Sequence, residues 1–375
     1  MNVTDIPRKE IPLQTSSLSE TAPAATHAKA RLQFVDIAKG IAILAVIVGH
    51  AAIRMAGLSY GASAIVATCF TFHMPLFFLL SGYFLHCRDH FSWRKESHRL
   101  VIPYILTALA IVVLEILTAC MFNDLPAGMS LKRFAFEWIN AAIYASAAVT
   151  GKELWPQMFR IGAIWFLLAL FWARLLVTAA YKTRISGILI VLCALFGGIS
   201  ARYAYLPFSI QAGMTASVYV YLGTLARKYD LLNALRQRKW VLAPALLIWL
   251  YAILHYRGFG MGTADFGQTP ADIARNLIGS FGGMTAILII SMFIEDLVPL
   301  MSSYLADIGR ISLLILAVHI IDDDVSRIDA ISMFLLGAGL GAFKLVILEA
   351  AARVAYTLLI SFLLSRLRII HKFFC

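Results

Sequence analysis

Charge is scarce in this chain. Asp, Glu, Lys and Arg make up 14% of its 375 residues, where a soluble domain carries roughly 25%. With 61% hydrophobic residues and a mean hydropathy of +0.80, this shortage excludes a soluble enzyme and implies a polytopic membrane protein. Cysteine is sparse as well. Cys69, Cys87, Cys120, Cys193 and Cys375 lie in or beside apolar segments with no CxxC spacing. That excludes a disulfide framework and a zinc site and leaves small buried apolar side chains. P-loop, GxSxG and HExxH motifs are missing too, so any chemistry must be built from side chains inside a bundle. There is no internal repeat, which weighs against an inverted-repeat transporter.

The net charge of +11 sits in short connections between apolar runs. That is the positive-inside distribution of a membrane protein, and no nucleic-acid partner is expected. Residues 1–30 are rich in Ser, Thr, Ala and Pro without an apolar run and read as a disordered cytoplasmic tail. They lack the basic-then-apolar order of a cleavable signal, so the first helix is expected to be an uncleaved anchor.

Ten apolar runs of spanning length follow, at 34–55, 62–85, 100–122, 161–181, 185–203, 208–226, 240–256, 278–293, 308–321 and 331–364. They predict an all-α polytopic membrane protein, a bundle of about ten transmembrane helices over 31–365, with a short basic tail at 366–375. The ninth run is short, and the tenth is long enough to be tilted or broken near Lys344. Basic residues alternate along the connections: Arg94, Lys95 and Arg99, then Lys182 and Arg184, then Arg236, Arg238 and Lys239, then Arg366 and Arg368. The connection holding Asp322, Asp323, Asp324 and Asp329 is acidic. Ten spans with both termini in the cytoplasm fit this alternation. One connection dissents, because Glu295, Asp296 and Asp307 have only Arg310 beside them.

The first run carries three residues that oppose insertion, Asp36, Lys39 and His50. Eleven positions separate Lys39 from His50, about three turns plus ~20°, and Asp36 lies ~60° from Lys39 on the same wheel. A single polar stripe on a membrane helix faces protein or water, not lipid. Depth splits it: Asp36 lies ~21 Å along the axis from His50 and cannot orient that ring. His50, with an unperturbed pKa of about 6.5, is suited to act as a base; Asp36 and Lys39 are suited to bind an anion or to pair with each other. These three, with His73 halfway along the second run, are the catalytic candidates. Pro75 follows His73, removing a backbone donor and bending the helix. The packing alternative for Ser81 and Gly82 is a close helix contact. The basic stretch with Arg94, Lys95 and Arg99 suits phosphates. Trp165 opens the run IWFLLALFW, and His319 lies near the end of the ninth run at the depth of His50. Glu349 and Arg353 form an i,i+4 pair.

The segments DIAKGIAILAVIVGH, FHMPLFFLLSGYF, RLVIPY, IWFLLAL and IGRISLLILAVH together resemble the type-3 membrane acyltransferase family. The family's basic-residue, ten-residue, His motif falls on Lys39 and His50, with Lys where Arg is common, and its SGYF motif falls on Ser81 to Phe84. Its paired-arginine loop is less clean, with Arg94, Lys95 and Arg99 at wider spacing. The short chain and the WFL segment look nearest to the fucose 4-O-acetylase-like and exopolysaccharide acetyltransferase branches. The resemblance implies O-acylation of carbohydrate in a bacterial inner membrane. It brings acetyl-CoA or another acyl-CoA as donor substrate, no permanently bound cofactor and no metal. The acceptor is a lipid-linked or polymeric glycan, and membrane lipids and polysaccharide synthesis and export proteins are the other partners. On this reading Arg94, Lys95, Arg99 and Ser81 bind the donor, Trp165 and His319 the acceptor, and His50 is the base or nucleophile. The competing class is a proton-coupled transporter using the same intramembrane charges.

Overall fold

The computed structural model describes residues 32–87, 90–326 and 328–374. The tail expected over 1–30 lies outside the described residues, as do Arg88 and Cys375. Every described element is helical, apart from two isolated bridges, Glu153–Tyr205 and Gly260–Asp265. In chain order come α1 (Gln33–Ile53), α2 (Tyr60–Tyr83) and α3 (Trp93–Glu96), which continues through a π-helical turn into α4 (Ile102–Phe122). Next are α5 (Leu131–Tyr144), α6 (Trp165–Ala180), α7 (Ser186–Ser200), α8 (Ile210–Lys228), α9 (Leu231–Gln237) and α10 (Leu242–Leu254). The chain ends in α11 (Pro270–Leu297), α12 (Pro299–Arg310), α13 (Ser312–Val325), α14 (Ile328–Gly337), α15 (Ala342–Ser365) and α16 (Arg368–Phe374).

Among the described residues, six helices are long and apolar enough to cross a membrane, or seven if α12 and α13, bent by 68°, count as one span. The ten-run reading counts more. α7 has 15 residues and α10 has 13, and at 1.5 Å per residue ~22 Å and ~20 Å fall short of a ~30 Å hydrocarbon core. α8 is longer but buries Gln211, Thr215, Ser217 and Thr224, and with this polar content it is not among the six. The last run breaks between Gly337 and Ala342, just ahead of Lys344, with Gly339 at φ +93°.

Lipid is as apolar as leucine, so close packing holds such helices together. Two crossings depend on glycine. A Cβ on Gly309 of α12 would overlap the Asp36 carbonyl of α1, and one on Gly40 would overlap the Leu305 carbonyl. The same holds for Gly82 of α2 against Val220 of α8, and for Gly223 against Leu79. The glycine of the SGYF segment therefore sets a backbone-to-backbone contact.

Local chemistry fixes the ends. α11 opens with a capping box between Thr269 and Asp272 and has Pro270 in its first turn, where the missing N–H costs nothing. Inside α2, Pro75 cannot donate to the Thr71 carbonyl. The Thr71 hydroxyl donates to the Ala67 carbonyl at 2.9 Å and accepts Trp249 Nε1–H at 2.8 Å. The dissenting carboxylates are also accounted for. Arg236 lies 2.7 Å from both Glu295 and Asp296, and Lys239 lies 2.6 Å from Asp296, so another connection supplies the positive charge. The basic C-terminal stretch forms α16, whose Phe374 is buried against Leu314 and Ala317 and whose Phe373 stacks on His98 at 5.5 Å.

α1 and α2 run antiparallel. Lys39 Nζ lies 5.8 Å from the Phe84 ring centroid at one end, and His50 stacks on Phe70 at 5.9 Å toward the other. α13 carries His319 and Asp323 up to that second end.

Candidate functional site

A cavity of about 880 Å³ opens at the His50 end of the bundle, within the range of small-molecule sites. Its floor comes from α1 and α2 through His50, Arg54, Phe70, His73 and Met74; Arg160 and Trp165 form one side. The loop 256–269 closes the other with backbone as well as side chains. That loop is pinned at its carbonyls. Tyr205 donates to Gly262 at 2.7 Å, Arg202 to Gly267 at 2.7 Å, and Asn276 to Gly258 and Phe266 at 2.8 and 2.9 Å. Gly262 presses so closely on Trp165 and Ala147 that a Cβ there would collide with both. Burial pushes the Tyr256 phenol up to about 12, so it stays a hydrogen-bond donor on the cavity wall.

His50 meets one carboxylate. Its Nδ1 lies 3.5 Å from Asp323 Oδ2. A carboxylate only accepts, so a hydrogen bond across this contact requires the proton on Nδ1 and leaves Nε2 with a lone pair. Asp323 is buried and shared by three arginines: Arg54 at 3.4 Å, Arg160 at 3.5 Å and Arg353 at 3.3 Å. The network extends outward. Arg353 reaches Asp322 at 2.8 Å and Glu349 at 3.0 Å, Arg54 reaches Glu349 at 3.5 Å, and Arg160 reaches Asp324 at 3.4 Å. Ser332 donates to Glu349 at 2.8 Å. Buried charges need this many partners to be tolerated. The Glu349–Arg353 pair is one edge of the network.

His73 also lines the cavity. Its Nδ1 lies 2.5 Å from the Cys69 carbonyl, which can only accept, so Nδ1 carries the proton and Nε2 is again the basic nitrogen. His319 sits behind His50 with ring centroids 5.2 Å apart, edge to face. It is fully buried, is not part of the cavity wall, and neither ring nitrogen has a hydrogen-bond partner among the described residues. Trp165 is buried in the wall beside Phe78 and Phe166.

The other sequence candidates lie at the opposite end. Asp36 and Lys39 form an i,i+3 pair at 3.4 Å, and Lys39 is ~16 Å along the axis from His50. Arg94, Lys95 and Arg99 are exposed near the end of α2. The Ser81 hydroxyl and carbonyl both accept from Arg174, at 2.9 and 3.1 Å, while Arg174 makes a bidentate pair with Glu96 at 2.8 Å in both arms. The structure thus gathers His50, His73 and Trp165 around one cavity, and sets the remaining candidates apart from it. Among the described residues, no group of three or more His, Cys, Asp or Glu side chains is placed to hold a metal ion.

Several site residues escape the sequence reading. Asp323 lies 273 positions from His50 and sits in a run of three aspartates that reads as loop charge. Its signal is the i,i+4 spacing from His319. Arg54 stands four residues after His50, directly past the end of α1. Arg174 is hidden at the end of an aromatic run. Nothing in the pattern of 256–269 marks a cavity wall, because much of what it contributes is backbone.

A family model described as an acyltransferase domain matches residues 32–366. No curated protein and no solved structure shows a significant match.

Proposed function

The chain belongs to the type-3 acyltransferase family, and from that premise we propose that this multi-pass membrane protein is an O-acyltransferase for carbohydrate. It moves an acetyl or similar short acyl group from acyl-CoA to a hydroxyl of an exported or lipid-linked glycan, in exopolysaccharide or surface-glycan synthesis. The observation that supports this best is His50, with Asp323 on its Nδ1 side, in the wall of a cavity of about 880 Å³.

The chemistry follows from that pair. His50 Nε2 takes the proton of the acceptor hydroxyl as its oxygen attacks the thioester carbonyl. Asp323 stabilises the imidazolium that forms. Collapse of the tetrahedral intermediate breaks the C–S bond, and the imidazolium returns its proton to the leaving CoA thiolate. His73 Nε2 is the second basic nitrogen on the wall.

Donor and acceptor approach from opposite ends in this reading. The basic residues Arg94, Lys95 and Arg99 suit the phosphates of CoA. Between Lys39 and His50 lies a narrow apolar cavity of about 70 Å³ lined by Ile43, Val46, Met74 and Phe166, and Met74 is shared with the large cavity. A pantetheine arm entering along that line would have to push these side chains aside. Both termini are cytoplasmic on this reading, and the membrane is a bacterial inner membrane with glycan synthesis and export proteins nearby. The test is incubation of membranes with radiolabelled acetyl-CoA: label enters glycan, and His50→Ala nearly abolishes it while the protein stays in the membrane. Full acetylation in that variant, read by NMR of the glycan, would remove His50 from the mechanism.

A further inference from the structure

Resting on the acyltransferase reading, we propose that the acceptor is anionic and that Arg257 at the cavity wall binds its negative group. Three arginines line the cavity: Arg54, Arg160 and Arg257. Arg54 is committed to Asp323 and Glu349, and Arg160 to Asp323 and Asp324. Arg257 is exposed and, among the described residues, has neither a carboxylate at ion-pair distance nor a hydrogen bond.

The carboxylates on the wall are already occupied. Asp323 serves His50 and three arginines. Asp272 is held by Arg275 at 2.8 Å and by Thr269 at 2.7 Å. Asp265 accepts the Gly267 N–H at 3.0 Å and the Gln268 amide at 2.8 Å. Asp265 keeps its negative charge among neutral donors, and Arg257 is the arginine on the wall that has no carboxylate or hydrogen-bond partner among the described residues.

That cation is mounted on a fixed backbone. Arg275 donates to the His255 carbonyl at 3.2 Å and Asn276 to the Gly258 carbonyl at 2.8 Å, so both flanks of Arg257 are tied to α11. Gly258 takes φ +105°, a left-handed conformation that favours glycine, and turns the chain directly after Arg257. Holding the backbone still lowers the ordering cost of binding. A guanidinium fork matches two oxygens of a carboxylate or a phosphate, and the aromatic rings of Tyr256 and Trp165 line the same cavity, as a sugar site needs. The shared chemistry is an oxyanion, either the carboxylate of an acidic sugar or the phosphate of a lipid carrier.

The experiment uses the full-length protein in its native membranes with radiolabelled acetyl-CoA, followed by anion-exchange separation of the labelled glycan. The label is expected in the bound fraction. Carbodiimide reduction of carboxylates releases it if the anion is an acidic sugar; mild acid releases it if the anion is a carrier phosphate. Arg257→Gln is expected to raise the apparent KM for acceptor about tenfold, with Arg257→Lys between the two and the KM for acetyl-CoA unchanged. Labelled glycan in the neutral fraction, or wild-type acceptor KM in Arg257→Gln at equal protein level, overturns this inference and leaves the acyltransferase reading standing. No label in any fraction overturns both.

Discussion

Replacing Asp323 with Asn separates the chemistry of the site from its architecture. The substitution keeps side-chain volume and removes one negative charge. Three arginines lose a partner, but each keeps another: Arg353 retains Asp322 at 2.8 Å and Glu349 at 3.0 Å, Arg54 retains Glu349 at 3.5 Å, and Arg160 retains Asp324 at 3.4 Å. Breaking a buried pair outright costs about 3–5 kcal/mol. Shared partners bring the expected loss to about 1–2 kcal/mol, a fall of a few degrees in Tm. His50 has no second carboxylate among the described residues, so its imidazolium loses its counter-charge and its ring loses its orienting acceptor. Hydrogen bonds of this kind are often long without substrate and tighten in the reacting complex. We expect kcat to fall by about 10²–10³-fold with the KM for acetyl-CoA unchanged. The assay is the initial rate of label transfer by purified protein in nanodiscs, alongside its thermal unfolding. A kcat within about threefold of wild type at an unchanged Tm would refute the pairing. Adding His50→Ala to Asp323→Asn is expected to lower the rate little beyond His50→Ala alone, because groups acting as a unit are not additive.

Two further expectations concern the scaffold. Gly309→Ala sets a methyl against the Asp36 carbonyl, and backbone on both sides cannot yield cheaply. We expect a loss of about 1–3 kcal/mol in thermal stability, whereas Gly57→Ala, with nothing within 4 Å of the added carbon, should stay within about 0.5 kcal/mol; equal melting points for the two would undo the crossing argument. Glu96→Gln strands the buried Arg174 guanidinium and is expected to cost about 3–5 kcal/mol, read as a lower Tm in detergent, while adding Arg174→Met recovers part of that loss.

Much of the bundle's outer form is legible in the sequence, because apolar runs of 20 or so residues have few alternatives to a membrane helix. α1, α2, α4, α6, α11 and α15 all fall within or across such runs. The count of crossings is not legible. α7 and α10 read as spans by composition, yet their helices end after 15 and 13 residues. Composition registers apolarity but not where a helix stops. At the site, the polar stripe marks His50 because helical periodicity is local. Its partner comes from α13 near the other end of the chain, and a pairing across 273 positions leaves no periodic trace. Arg174 and Glu96 satisfy each other in the interior, whereas in the sequence one looks like the end of an aromatic run and the other like one more charge in a basic loop.

The bend between α12 and α13 gives the site a lever. Ile311 stands at the elbow, where the two axes diverge by 68°, and Asp323 lies twelve residues beyond it, an arm of ~18 Å at 1.5 Å per residue. One degree of rotation at the elbow carries the carboxylate by ~0.3 Å, and three degrees by ~1 Å, a displacement that can cost roughly 10² in rate. Gly309, two residues before the elbow, is seated on the backbone of α1 at the Lys39 end. A shift of α12 on that seat would move Asp323 relative to His50. Anything that shifts the seat of α12, a lipid or a neighbouring protein included, would retune the reaction without entering the cavity.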